Sequence, residues 1–524
     1  MSSAVAPVLV AGQWQAADRL GTFQALDPTR GTELPTLFPV SGPEAVAKAL
    51  DAADRAFADL CKLPGERRAA FLEAFANRID RVKEELATVA QQETGLARDT
   101  RLMGTEIPRT VDQIRQAAAA IRERSWCLAT IDTKNNLRSM YLPLGPAVLI
   151  GPNNFPFAYN AVSGGDFAAA LAAGCSVIAK GHPSHPHTTR KLAEEAFAAV
   201  QETGLPPATL QVLYHVESSE GQTLVTDRRV GSVAFTGSRR TGLLLKSMAD
   251  RVGKPIFLEL GSLNPVVLLP GSLRERFDQV LETVSGSCLL GMGQFCTNPG
   301  LLFLLAGADA ERFLAGMVQK YESTPTSPLL SRVVQQNLSA SIAALRAAGA
   351  ELLTGGTPTD SAPISHHHTL MTCSGRLFLE RGHALQQEAF GNATLVVLCT
   401  DLAELKTALA SLEGQLAGSL FSHTDGSEDE LAAEIAALLR QRVGRLLNDK
   451  MTTGVTVSAA QCHGGPYPAT GHPHFTAVGF PASIRRFCML ACFDNVRQHR
   501  LPSELRDENP TGQMWRLVDG TWTR

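Results

Sequence analysis

The chain has 524 residues, of which 44% are hydrophobic and 19% charged, with a formal net charge of -3. That length exceeds what one hydrophobic core serves, so two or three domains are expected. The near-balanced charge gives no electrostatic case for nucleic acid or an anionic membrane surface as partner and favours a small-molecule ligand.

The N-terminal "MSSAVAPVLVAGQWQAADRL" lacks a basic start followed by a long apolar run, and nowhere does the chain reach the roughly 18 consecutive apolar residues of a membrane span. Ten cysteines without a CxxC or a regular framework predict reduced thiols in a cytoplasmic protein. Residues 42–125 carry helical periodicity in segments such as "GPEAVAKALDAADRAFADL". "NNLRSMYLPLG" (135–145) then reads as an extended arm. From residue 147 short aliphatic runs alternate with helix-length segments: 147–151, 175–180, 210–214, 232–237 and 255–260. That alternation predicts a parallel, doubly wound sheet. A Pro-Gly break near residue 270 separates it from a second α/β stretch with strand candidates "LLFLLA", "ATLVVLC" and "LAGSLFS", and the last 60 or so residues read as loop plus an edge strand, "ASIRRFCMLACF".

In doubly wound sheets ligands sit beyond the carboxyl ends of the strands. Just past those ends stand Pro152-Asn153-Asn154-Phe155-Pro156, Lys180, Thr236-Gly237-Ser238 and Glu259-Leu260-Gly261-Ser262. "FTGSRRTG" opens a helix whose free N–H groups suit a phosphate, although Ser238 equally suits a plain N-cap, and the segment is neither a P-loop nor GxGxxG. Glu259 at the end of an apolar strand is a solvated terminus or a base raised by burial. In "GMGQFCTNPG", Cys296 sits among Gly291, Gly293, Gln294, Thr297 and Asn298, company that leaves its sulfur and N–H open to a substrate rather than packed in a core. The Asn154 amide suits an oxyanion as well as an ordinary turn. His366, His367, His368, His463, His472 and His474 lie in Gly-, Pro- and Ser-rich loops without metal-ligand spacing, so no metal is expected.

Taken in order, Asn154-Phe155-Pro, Lys180, "FTGS", "LELGS", "GQFCTNPG" and "QEAFGN" (387–392) resemble the motifs of the aldehyde dehydrogenase superfamily, over roughly residues 10–500. "GGDFAAALAAGCSVIAKGHPSHPHT", "GQFCTNPGLL" and "GGPYPAT" are most similar to its α-ketoglutarate semialdehyde (2,5-dioxopentanoate) dehydrogenase branch. The resemblance implies an α/β fold of two doubly wound domains, cofactor-binding and catalytic, plus a small oligomerisation arm. It divides the chain into 1–127 (N-terminal helical part of the cofactor domain), 128–146 (arm), 147–269 (dinucleotide-binding), 270–455 (catalytic) and 456–524 (C-terminal return and oligomerisation strand). It implies Cys296 as nucleophile, Glu259 as the base for water, and the Asn154 amide with the Cys296 N–H for the oxyanion. Lys180, Thr236, Gly237, Ser238, Glu388 and Phe390 would hold NADP or NAD. Pro183 stands where many NAD-preferring members carry a ribose-chelating Glu, which tilts the expectation to NADP, with Lys180, His182 or Arg190 near a 2′-phosphate. Asn153 and Ser262 also depart from the general pattern. Arg109 is nominated for a substrate carboxylate, against a solvated helical arginine, and Phe155 for the tunnel wall. A homodimer or homotetramer is implied. A medium- or long-chain aliphatic aldehyde substrate, and a silent binding protein or thiol hydrolase on the same fold, stay open.

Overall fold

The computed structural model describes residues 5–524; the first four residues of the N-terminal stretch lie outside it. The runs expected as strands are fully buried, because they lie inside a sheet covered on both faces: Ala147, Val148 and Leu149, then Val177, Ile178 and Ala179, each have essentially no exposure. The sheet runs Ile256–Glu259, Ser232–Thr236, Ala147–Ile150, Val177–Lys180, Leu210–Leu213, Val8–Val10 and Gln13–Gln15. Its first five strands pair in parallel and its last two antiparallel, with Leu9 opposite Val212. Helix Gly165–Ala173, buried at nearly every position, and helix Pro186–Thr203 are crossovers between these strands.

The stretch expected to be helical from the N-terminus becomes so only at Pro43. Short strands occupy residues 8–41, because "VLV" supplies the edge partner that the strand Leu210–Leu213 otherwise lacks. Helices Pro43–Leu60, Gly65–Arg81, Lys83–Thr94 and Ile107–Glu123 come next, with Arg98–Glu106 wound as a wider π-helix.

A second sheet runs Glu351–Thr354, Thr369–Ser374, Ala393–Cys399, Leu301–Leu305, Val266–Leu268, Gln415–Phe421 and Val443–Asn448, parallel except for its first strand. The arm is a third sheet: Cys488–Asp494, Leu137–Pro143, Thr130–Asp132, Arg516–Val518 and Thr521–Thr523. The ten cysteines are all unpaired, and no described helix is long and apolar enough to cross a membrane.

Ile178 lies at the middle of the first sheet with no exposure. Ile178→Ala is expected to cost about 2–5 kcal/mol of stability through lost burial and a residual cavity; an unchanged denaturant midpoint would refute the packing described.

Candidate active site

The carboxyl ends of the parallel strands converge on one cavity of about 710 Å³. Its walls include Asn154, Lys180, Thr236, Gly237, Ser238, Glu259, Cys296, Glu388 and Phe390, so residues spread over most of the sequence meet at the seam between the two large sheets. Arg109 and Phe155 lie elsewhere, on the far side of Asn154. There Phe155 packs with Tyr159 and Val478 in a separate apolar cluster, and Arg109 stacks 5.1 Å above the Tyr159 ring and donates to its hydroxyl at 3.2 Å.

Cys296 rides on a tightly wound turn. Gly291, Met292 and Gly293 all have left-handed φ, of 56°, 58° and 64°. A Cβ on Gly293 would lie 2.1 Å from the Gly391 carbonyl oxygen, so the nucleophile loop and the Glu388-Phe390 loop touch through backbone alone. Asn264 ties the turn down, its amide donating to the carbonyls of Cys296 (2.9 Å) and Asn298 (2.8 Å). Among the described residues the Cys296 N–H has no acceptor. Asn154 is 7% exposed and donates one amide hydrogen to the Gln294 carbonyl at 3.0 Å, which leaves its second for a ligand. The loop bearing Asn154 is clamped from beneath: Glu106 accepts the N–H groups of Phe157 (2.9 Å) and Ala158 (3.0 Å) and pairs with Arg101 at 2.7 Å.

Burial dominates the electrostatics. It pushes the Cys296 thiol up to about 12, reinforced by the Glu259 charge, and it lifts the Glu259 carboxyl well above the usual carboxylate range. Neither Glu259 oxygen has a hydrogen-bond partner in good geometry. The sequence pattern sets His463 aside among loop histidines, yet its Nε2 lies 3.5 Å from Cys296 Sγ and 3.3 Å from Glu259 Oε2. Nor does the pattern single out Arg445, a half-buried cation whose guanidinium bonds only the carbonyls of Gly454 and Thr452. No metal-ligand cluster exists among the described residues.

On the cofactor side, Lys180 Nζ has no acceptor among the described residues and burial lowers its ammonium to about 8. Ser238 accepts the Thr241 N–H at 3.3 Å and so caps the helix Arg239–Arg251, which leaves the free N–H groups of that first turn for an anion. Glu388 accepts the Ser262 N–H at 3.2 Å, and burial raises its carboxyl to about 7. Its carboxylate so crowds Gly261 that a Cβ there would meet Oε2 at 1.7 Å. Pro183 and His182 line the cavity beside Lys180, whereas Arg190 pairs with Glu194 at 2.9 Å and is not on its wall. Unpaired cations, a capped helix start and two glycine passages are the donor set a dinucleotide needs.

The aldehyde dehydrogenase family model matches residues 14–457. The chain belongs to the aldehyde dehydrogenase family. Family members oxidise aldehydes with NAD(P), and the cavity holding Cys296 is where this one does so. It is 36% identical over 524 residues to α-ketoglutaric semialdehyde dehydrogenase 2 of Azospirillum brasilense, covering 98% of each chain. It is 32% identical to an α-ketoglutaric semialdehyde dehydrogenase of Acinetobacter baylyi, covering 96% of each. The fold matches an aldehyde dehydrogenase of Bacillus cereus in complex with NAD+ at TM-score 0.81 and 19% identity, covering 94% of this chain and 96% of that one.

Gly293→Ala is expected to lower kcat about 100-fold by displacing the Cys296 turn; near-normal turnover by a folded variant would contradict the close packing of these two loops.

Proposed function

We propose that the substrate is α-ketoglutarate semialdehyde, oxidised to α-ketoglutarate with NADP, or less readily NAD, as hydride acceptor. The observation that carries this reading is a pair of cations, Arg109 and Arg445, that have no carboxylate partner among the described residues and act electrostatically on Cys296. A dicarboxylic semialdehyde supplies the missing carboxylate. The names of the two relatives agree with it.

The dinucleotide, held by Lys180, the helix start at Ser238, Glu388 and Phe390, supplies the hydride acceptor. Cys296 Sγ adds to the aldehyde carbonyl, and the oxyanion takes the free Asn154 amide hydrogen and the Cys296 N–H. Loss of hydride leaves a thioester on Cys296. Glu259 then takes a proton from the water that hydrolyses it. The 2′-phosphate of NADP meets Lys180 and His182 and no carboxylate at Pro183, which supports the NADP preference.

A second reading, an aliphatic aldehyde, is favoured by the aromatic wall of Phe155, Tyr159 and Phe295 with Val455, Val457 and Val478, and by 27% identity to a long-chain-aldehyde dehydrogenase of Acinetobacter sp over 75% of this chain and 78% of that one. Placement in the cytoplasm is supported by ten unpaired thiols. A homodimer or homotetramer is supported by strand Cys488–Asp494, which has a neighbour on one side only and exposes Met489 and Leu490.

Initial rates with the keto-acid semialdehyde, succinate semialdehyde and a medium-chain alkanal, each with NADP and NAD, test the proposal. A preference above about tenfold in kcat/KM for the keto acid, worth about 1.4 kcal/mol, is expected, and Arg109→Ala should erase it while sparing the alkanal. An alkanal preference sinks the dicarboxylate reading, and cofactor binding without reduction by any aldehyde points to a silent protein or a thiol hydrolase. Because Glu259 titrates above the ordinary carboxylate range and must be ionised to take the proton, deacylation should fall as pH drops through that raised value. Glu259→Gln should leave a burst of reduced cofactor with slow turnover at every pH; a variant that turns over normally would remove Glu259 from the mechanism.

A further inference from the structure

A buried thiol held up near 12 is almost wholly protonated at neutral pH, so something must take its proton as the carbon–sulfur bond forms. Glu259 is assigned to the water. Among the described residues, the titratable atom that reaches the sulfur is the ring nitrogen of His463, 3.5 Å from Sγ.

The placement of that ring is built in. Its backbone N–H donates to Thr476 Oγ1 at 2.7 Å, and its carbonyl accepts the Ala477 N–H at 3.0 Å, so the loop holds the residue on both sides. The imidazole is 2% exposed and meets the Tyr159 ring edge-on at 5.9 Å. One atom, Nε2, faces both Cys296 Sγ and Glu259 Oε2, the latter at 3.3 Å. With the proton on Nδ1, the Nε2 lone pair is aimed at the thiol.

We infer that His463 is the general base that takes the Cys296 thiol proton during attack on the aldehyde. The S–H bond breaks as the C–S bond forms, the carbonyl π pair moves to oxygen, and the proton passes to Nε2. The imidazolium so formed lies beside the Glu259 carboxylate, which offsets the cost of a buried cation and leaves the carboxylate free for water. When the hydrolytic intermediate collapses, the departing sulfur recovers its proton from Nε2. Burial first, then Arg109, Arg445 and Arg486, hold His463 down to about 3, so the ring is neutral and ready as a base across the physiological range. Cys296 and Glu259, with the Tyr159 hydroxyl and those three arginines, are the titratable and charged groups that surround it.

This inference rests on Cys296 being the nucleophile, and the test separates the two. Alkylation of Cys296 by neutral iodoacetamide, and the burst of reduced cofactor with aldehyde, are followed from mildly acidic to alkaline pH for the wild type, His463→Ala, His463→Gln and Cys296→Ala. A histidine-assisted thiol should react at a rate nearly independent of pH around neutrality. Removing the ring should slow it about 100-fold there and make it rise tenfold per pH unit. Added imidazole should restore His463→Ala, a response that a packing role would not give. If the wild type already rises tenfold per unit and both His463 variants match it, the inference is overturned while the nucleophile stands. If Cys296→Ala retains turnover, both readings fall. Were His463→Ala to unfold, the wild-type profile and His463→Gln decide alone.

Discussion

Everything at the site depends on holding a sulfur atom where water cannot support its charge. The seam between the two large sheets is the one place where loops from many strands meet, and burial there makes a resting thiolate costly. The surrounding groups are answers to that cost. Asn154 and the unpaired Cys296 N–H wait for a charge on oxygen rather than on sulfur. Glu259 is left without hydrogen-bond partners, so that it stays basic toward water. The Glu106–Arg101 pair beneath the Asn154 loop shows how much goes into orientation: a fully buried carboxylate accepts two backbone N–H groups to fix a single turn.

The same seam separates two chemistries on opposite sides of Asn154. The large cavity on one side carries unpaired cations and a helix start suited to phosphates. The other side is aromatic, with guanidinium groups over its rings: Arg101 lies 4.5 Å above Phe155 and Arg109 lies 5.1 Å above Tyr159. Arg101 is already engaged by Glu106, and Arg109 and Arg445 are not engaged by any acid among the described residues. That difference, rather than the mere presence of arginine, is why the second pair is assigned to substrate.

Much of this is legible in the sequence, and for a physical reason. Strands buried on both faces leave uninterrupted apolar runs, so Ala147–Ile150, Val177–Lys180 and Ser232–Thr236 announce themselves, and the residues at the carboxyl end of each run are by geometry cavity residues. The strands of residues 8–41 are not legible, because short, half-exposed strands have no such pattern and Val8–Val10 is fixed only by a distant partner around Val212. His463 and Arg445 escape for the same reason. His463 is 167 residues from Cys296 in a loop rich in Gly and Pro, and nothing local to "QCHGGPYPAT" says that its ring reaches a sulfur. Arg190, by contrast, looks available in sequence and is consumed by Glu194 one helical turn away.

The central claim is that one sulfur, Cys296, carries the substrate's acyl group and that Glu259 releases it. The direct measurement is mass spectrometry of Glu259→Gln quenched after mixing with α-ketoglutarate semialdehyde and NADP. The account predicts an acyl adduct on the peptide containing Cys296, absent without cofactor and absent from the Cys296→Ala form. Reduced cofactor produced with no adduct on Cys296, or with the adduct on another of the ten cysteines, would contradict it.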